Sequence, residues 1–163
     1  MTEAVLARAS VRRVQDVLAA GGSLARVVVL ADSARTAQMA ADALGVPVGA
    51  IVKSLVFLVG GAPVVALVAG DRRCDTDALS AALGLDGRVG RADADAVRAA
   101  TGFAIGGVSP LGYPAPLPMA LDASLRRFER LFAAAGHPNA VFPTDFAELQ
   151  RLTGAREAAI ATA

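Results

Sequence analysis

The apolar positions of this chain change period several times from one end to the other, and those changes mark out its elements. Val11, Val14, Val17 and Leu18 recur at helical spacing and stop before Gly21-Gly22, which predicts a helix over residues 10–20. RVVVL, from Arg26 to Leu30, is a short β-branched run and predicts a buried strand, with Asp32 and Ser33 as N-cap candidates for a helix that ends at Leu44 before Gly45. From Ile51 an almost wholly apolar run fits a strand, and if pairing starts near Ile51 the alternation of side chains puts Ile51, Lys53, Leu55 and Phe57 on one face. Gly60-Gly61 then turns the chain into a second strand, Val64 to Val68.

The second half reads the same way. Asp75 or Thr76 caps a helix that runs to Leu83 and is stopped by Gly84; Arg88 to Arg91 fits a short strand; and Asp93 caps a helix ending at Thr101-Gly102. FAIGGVSPLGYPAPLP is loop by its glycine and proline content. A strand from Met119 to Leu121 ends at Asp122, a turn of helix carries Arg126, Arg127 and Arg130, and strands Leu131 to Ala135 and Ala140 to Phe142 flank the turn sequence GHPN. Thr144 is the N-cap candidate for a last helix with Phe146, Leu149 and Leu152 on one face and Gly154 as its stop, and residues 156–163 read as a frayed tail. Hairpins with interspersed helices, in place of a regular strand-helix-strand alternation, predict an α/β fold: a mixed, largely antiparallel, barrel-like sheet with surrounding helices. With no repeat and no linker, residues 1–163 are expected to form a single domain.

Composition narrows the chemistry. Apolar residues make up 55% but aromatics only 4%, so the core is built from Val, Leu, Ile and Ala. The longest apolar run, Ile51 to Val68, is broken by Lys53, Gly60, Gly61 and Pro63, which makes it a hairpin and not a membrane span. The N-terminus lacks the basic start and apolar centre of a secretory signal, which points to a cytoplasmic protein. A net charge of +1 gives no global basic field for sequence-independent nucleic-acid binding, although Arg12 and Arg13, Arg72 and Arg73, and the Arg126 group are local candidates for phosphate contact or for solvated helix faces. One cysteine and one histidine exclude an internal disulfide and a thiolate or imidazole zinc cluster. Cys74 lies beside Arg72 and Arg73, a setting that lowers a thiol pKa, but no cysteine-enzyme motif accompanies it.

Lys53 stands out because it is the only lysine; every other basic residue is arginine. An ammonium is a compact point charge that loses its proton when desolvated, which guanidinium does not do. Two readings stand at this level: a lysine with a task that arginine cannot perform, or a strand-end lysine whose stem is packed and whose head is in water.

Lys53 in VPVGAIVKSLVF, the loop Gly106 to Pro110 within TGFAIGGVSPLG, LPMALDASL and the closing FPTDFAELQRLTGA occur in an order that resembles the YbaK and prolyl-tRNA synthetase-associated family of aminoacyl-tRNA deacylases, over roughly Ser33 to Ala155. The resemblance implies a trans-editing hydrolase that removes a wrong amino acid, such as Cys, Ala or Ser, from tRNA, with tRNA(Pro) the expected carrier. Its implied partners are the acceptor end of mischarged tRNA and prolyl-tRNA synthetase, with no membrane partner, no metal and no cofactor. By the family pattern Lys53 orients the aminoacyl-adenosine end, and main-chain amides near Gly106 and Gly107 hold the substrate; Ser54, Ser109, Pro110, His137 and Asn139 are the further substrate-binding candidates. Ser54 reads more readily as a structural hydroxyl than as a ligand contact, Ser109 equally as either, Asp122 as a helix cap, and His137 either as a specificity residue or as a plain turn residue of GHPN. An aminoacyl ester is already activated, so positioned water and a stabilised oxyanion suffice without a covalent nucleophile. The rival expectations are a binding module of the same fold that captures aminoacyl-tRNA or a nucleotide without cleaving it, and a Schiff-base enzyme using Lys53.

Overall fold

A computed structural model describes residues 2–163. Helices α1 (Thr2–Leu6) and α2 (Ala9–Ala20) precede the short strand β1 (Val28–Val29) and helix α3 (Ala37–Leu44). A hairpin follows, of β2 (Ile51–Val59) and β3 (Ala62–Ala69), then β4 (Arg73–Cys74), α4 (Thr76–Leu83), β5 (Val89–Arg91) and α5 (Ala94–Thr101). After the Gly- and Pro-rich loop come β6 (Met119–Asp122), a 3-10 turn over Ala123–Arg127, β7 (Leu131–His137), β8 (Ala140–Thr144), α6 (Phe146–Thr153), β9 (Arg156–Ala158) and β10 (Ala161–Thr162).

The main sheet is eight-stranded and runs β1-β8-β7-β2-β3-β6-β9, with β5 attached to the outer edge of β2, while β10 and β4 form a separate pair. Hairpin neighbours are antiparallel, but β2 meets β7, β3 meets β6 and β6 meets β9 in parallel, so the sheet is mixed. β3 lies at its centre, and from Val64 to Ala69 every residue is fully buried. The two parities of β3 serve two cores. Val65, Leu67 and Ala69 pack with Val11, Val14 and Leu18 of α2 and with Phe142 and Leu149, whereas Val64, Ala66 and Val68 pack with Leu79 of α4 and with Ile160. A continuous apolar run is what a strand covered on both faces requires. A third, small cluster of Ala40, Ala41 and Ile51 fastens α3 to the start of β2.

Several boundaries differ from the sequence expectation. The helix expected to start at Asp32 or Ser33 starts at Ala37, capped by Thr36, whose Oγ1 accepts from the Met39 amide at 3.2 Å. Asp145, not Thr144, caps α6, accepting from the Glu148 amide at 2.8 Å. In both places more than one residue able to cap a helix lies within a few positions, Asp32, Ser33 and Thr36 in one and Thr144 and Asp145 in the other, and tertiary packing picks among them. The strand expected over Arg26 to Leu30 is reduced to Val28–Val29 at the sheet edge, with Val28 exposed.

The largest correction concerns residues 156–163, which are not frayed. β9 pairs with β6, β10 pairs with β4, and Ile160 between them is fully buried. Asp122 is the clasp. Its carboxylate accepts from the Ser124 amide at 3.1 Å, from the Ser124 hydroxyl, and from the Ile160 amide at 2.9 Å. The cap reading of Asp122 is therefore right but incomplete, because the same carboxylate holds the C-terminal segment. Replacing Asp122 by Ala leaves a buried amide without a partner, which costs about 1–3 kcal/mol per group. Asp122→Ala is expected to lower the urea midpoint accordingly, and amide exchange at Ile160 should approach that of an open terminus.

Candidate active site

β2 has a complete neighbour on one side only. β3 pairs with it along Val52 to Val59, but on the other side β7 pairs only with Ile51 and Val52, and β5 only with Phe57 to Val59. Residues 53–56 thus present an open edge, roughly 13 Å long at about 3.3 Å per residue. A cavity of about 470 Å³ occupies this gap. Val52 to Val56 form its floor, Ala92 and Ala133 flank it where the neighbouring strands leave, and Lys53, Arg35, Gly106 and His137 stand around it. Its walls are otherwise mostly apolar, including Ile51, Leu55, Val97, Ile105 and Phe132, and no carboxylate lines it among the described residues.

Lys53 projects on the Leu55 and Phe57 face, as the period of two requires, and its Nζ donates to the Arg72 carbonyl at 2.5 Å. That carbonyl belongs to the turn after β3, which Arg127 secures by a bidentate pair with Asp71 at 2.7 and 2.9 Å. Burial pulls the Lys53 pKa below its usual value, partly offset by the charge of Asp71. Lys53 is therefore half-buried and anchored, and does not snorkel freely.

Opposite stand the glycine loop and the β7–β8 hairpin. Gly106 has φ +95°, a left-handed conformation that favours glycine, and a Cβ there would lie 3.5 Å from the Arg35 stem. Gly107 serves a different purpose: a Cβ would lie 2.8 Å from the His137 main-chain nitrogen, so this glycine lets the loop lie directly on the hairpin. Its amide donates to the Ala104 carbonyl at 3.0 Å and is engaged in the turn. A register irregularity between Ala134 and His137 breaks the strand alternation just before His137, which lines the cavity. His137 Nδ1 accepts from the Asn139 amide at 3.0 Å, which fixes the neutral ring with its proton on Nε2. Burial, with Arg8 and Arg35 nearby, holds its pKa below the usual histidine range.

Of the residues singled out in the sequence, Lys53, Ser54, Gly106 and His137 meet at the cavity, whereas Gly107, Ser109, Pro110 and Asn139 do not line it. The buried Ser109 hydroxyl accepts from the Leu111 amide at 3.3 Å, and the Asn139 side chain donates to the Leu30 carbonyl at 3.2 Å. Both hold turns. Arg126 and Arg127 are engaged with Glu157 and Asp71 and are not free for phosphate. Cys74 runs opposite to the sequence reading: burial, with Asp75 and Asp122, pushes its thiol up to about 11, and the neighbouring arginines do not reverse this. Arg35 was not foreseen at the site. Its segment was read as helix, yet it runs outside α3 and is tied to the hairpin by the Ala34 amide, which donates to the Pro138 carbonyl at 2.7 Å. Among the described residues no group of three or more His, Cys, Asp or Glu is placed to hold a metal, and no helix is long and apolar enough to cross a membrane.

The aminoacyl-tRNA editing domain model matches residues 31–152, which include the open edge, the glycine loop and the hairpin. The chain belongs to the aminoacyl-tRNA editing domain family. YwhH of Bacillus subtilis (strain 168), an uncharacterized protein, is 34% identical over 122 residues, covering 74% of this chain and 76% of that protein. A crystal structure of a proposed trans-editing enzyme for prolyl tRNA synthetase is 42% identical with a TM-score of 0.88, over 96% of this chain and 99% of that one. The hypothetical protein APE2540 is 28% identical with a TM-score of 0.83, over 92% and 99%.

Two outcomes are expected from this geometry. His137 should titrate below the ordinary value of about 6.5. Because the folded protein favours the neutral ring, its contribution to stability is present above that value and is lost as the pH falls through the lowered one. Following the His137 Cε1 proton by NMR from pH 4 to 8 reads this directly. Gly107→Ala should push the loop off the hairpin, costing about 1–3 kcal/mol by overpacking, and should disturb the amide resonances of Gly106 and His137 together.

Proposed function

We propose that this editing domain is a trans-editing deacylase that hydrolyses the ester between a small, uncharged amino acid and the terminal ribose of tRNA. The observation that supports it best is the convergence of Lys53, Gly106 and His137, from three distant parts of the chain, on one mostly apolar cavity without a carboxylate. Alanine, serine and cysteine are the amino acids of the expected class, and tRNA(Pro) the expected carrier. The whole chain acts as one catalytic unit.

In this reading water attacks the ester carbonyl, and negative charge develops on the carbonyl oxygen as the tetrahedral species forms. The Lys53 ammonium, held at the edge of the cavity by the Arg72 carbonyl, stabilises that charge or the adjoining ribose oxygens. The carbon-oxygen bond to the ribose then breaks, the ribose oxygen takes up the proton that water gives up, and free amino acid and tRNA leave. His137, with Nδ1 occupied, offers an Nε2 proton as a donor and serves to orient substrate or water, not to act as general base. Gly106 gives the ligand close approach to the loop, and Arg35 at the cavity rim meets the terminal phosphate of the acceptor end.

Purified protein incubated with alanyl-, seryl- and cysteinyl-tRNA(Pro) is expected to release free amino acid from at least one of them. Tight binding of all three with no release would instead make the chain a binding module. Lys53→Ala should lower single-turnover hydrolysis by about 100-fold or more, the scale of losing one transition-state donor, with little change in thermal midpoint. Lys53→Arg should not restore it, since a planar fork cannot replace an ammonium clamped on one carbonyl. Full activity in Lys53→Arg would remove Lys53 from the mechanism.

A further inference from the structure

The open edge of β2 leaves specific main-chain groups facing the cavity. In an antiparallel ladder the residues of one strand alternate between those that bond to a given neighbour and those that point away from it. The Gly70 amide donates to the Ile51 carbonyl at 2.8 Å, so the odd-numbered residues of β2 bond to β3 and the even-numbered ones face the other side. There, Val52 is engaged by the parallel pairing with β7, and the pairing of Phe57 with Arg91 engages the Val56 carbonyl through the Ala92 amide. What remains is the Ser54 amide, the Ser54 carbonyl and the Val56 amide. These groups face a gap that the sheet leaves unfilled.

The substrate poses a matching problem. An aminoacyl ester carries an α-ammonium, yet the side chains around the cavity include Lys53, Arg35 and His137 and no acid among the described residues. The ammonium therefore has no side-chain counterion, and it needs an acceptor away from the cations. On the exposed stretch from Lys53 to Val56, the outward carbonyl left free by the ladder is that of Ser54.

Resting on the deacylase reading, we propose that the aminoacyl group binds as a one-residue antiparallel partner of Ser54. The Ser54 carbonyl accepts from the α-ammonium, and the Ser54 amide donates to the ester carbonyl. This is the pair of bonds that two directly opposed residues exchange in any antiparallel sheet. It places the substrate side chain on the same face as the Ser54 side chain, beside Val56 and Val108 and opposite in facing to Lys53. The buried Ser54 hydroxyl, which has no hydrogen-bond partner, lies on that face. The Ser54 amide also becomes more useful as the reaction proceeds, because its acceptor gains negative charge in the tetrahedral species. The Val56 amide is left for a ribose oxygen.

The test uses the full chain, labelled with nitrogen-15, and the amide-linked analogue 3′-deoxy-3′-(L-alanylamino)adenosine. The Ser54 and Val56 amides are expected to shift on titration, with exchange at Ser54 slowed. The propionyl counterpart, which lacks the α-amino group, should bind at least about tenfold more weakly, the minimum for losing a hydrogen bond to a charged group. Shifts confined to other residues, equal affinity of the two compounds, or no binding at millimolar concentration would each overturn the proposal. Kinetics give a second arm. Ser54→Pro removes the outward amide together with the hydroxyl, at a position where an edge strand tolerates proline, and should lose about 100-fold more activity than Ser54→Ala, which removes the hydroxyl but keeps that amide. Equal losses would transfer the role to the hydroxyl and sink the main-chain assignment. If Ser54→Pro does not fold, the titration alone decides. Wild-type protein that shows the shifts but releases no amino acid refutes the deacylase and leaves this binding mode standing; protein that releases amino acid while Ser54 stays silent does the reverse.

Discussion

An incomplete hydrogen-bond ladder is the constraint on which the site depends. A central strand with a partner on each side has no free main-chain groups and no room beside it. β2 has β3 along its length but shares its other side between two strands that each cover only one end. The cost of the uncovered stretch is kept down because the cavity is open to water, which can satisfy exposed amides and carbonyls until a ligand replaces it. Maintaining the gap requires that β7 leave early, that the loop from Ile105 to Val108 stay down on the hairpin, and that β5 attach no sooner than Phe57. The irregularity before His137 and the close approach at Gly107 serve the first two conditions.

Electrostatics follow from that geometry. The groups around the cavity are cations or neutral donors, but the two that titrate are both shifted toward their neutral forms by burial. Burial makes the charged form of each less favourable than in water, in a site whose ligand carries its own ammonium and, further out, phosphates. Lys53 remains fixed by a carbonyl, and His137 by an amide, so neither depends on the other for its orientation. Asp71, the acid whose charge reaches Lys53, is occupied by Arg127, and Asp122 by Ser124 and Ile160. The same pairings steady the turn behind Lys53 and the C-terminal strands behind the second core.

Much of the site was legible in the sequence, for reasons specific to each residue. Lys53 could be found because it interrupts an apolar run in a chain that otherwise uses arginine, and its face followed from the period of the strand. Gly106 could be found because loop glycines beside a Ser-Pro turn are visible in any composition count. Arg35 was hidden by a capping ambiguity, since a helix starting at Ser33 would have carried it on an ordinary exposed face. Asn139, Ser109 and Gly107 were placed with the ligand because polar and glycine residues in a loop read the same whether they bind substrate or hold the backbone. Only their partners, the Leu30 carbonyl, the Leu111 amide and the His137 main chain, separate the two roles.

By itself, the sequence determined the local elements, because the period of apolar residues, the Asp and Thr caps and the terminating glycines all act within a few positions along the chain. It determined the β2–β3 hairpin and the face on which Lys53 stands for the same reason. Tertiary structure alone decided that Ala-rich residues 156–163 are strands, since their pairing energy comes from β6, β4 and Asp122, far away in the chain. It alone decided, too, that β2 is left open between residues 53 and 56. An unpaired edge is defined by where other strands stop, and no residue within the strand records that.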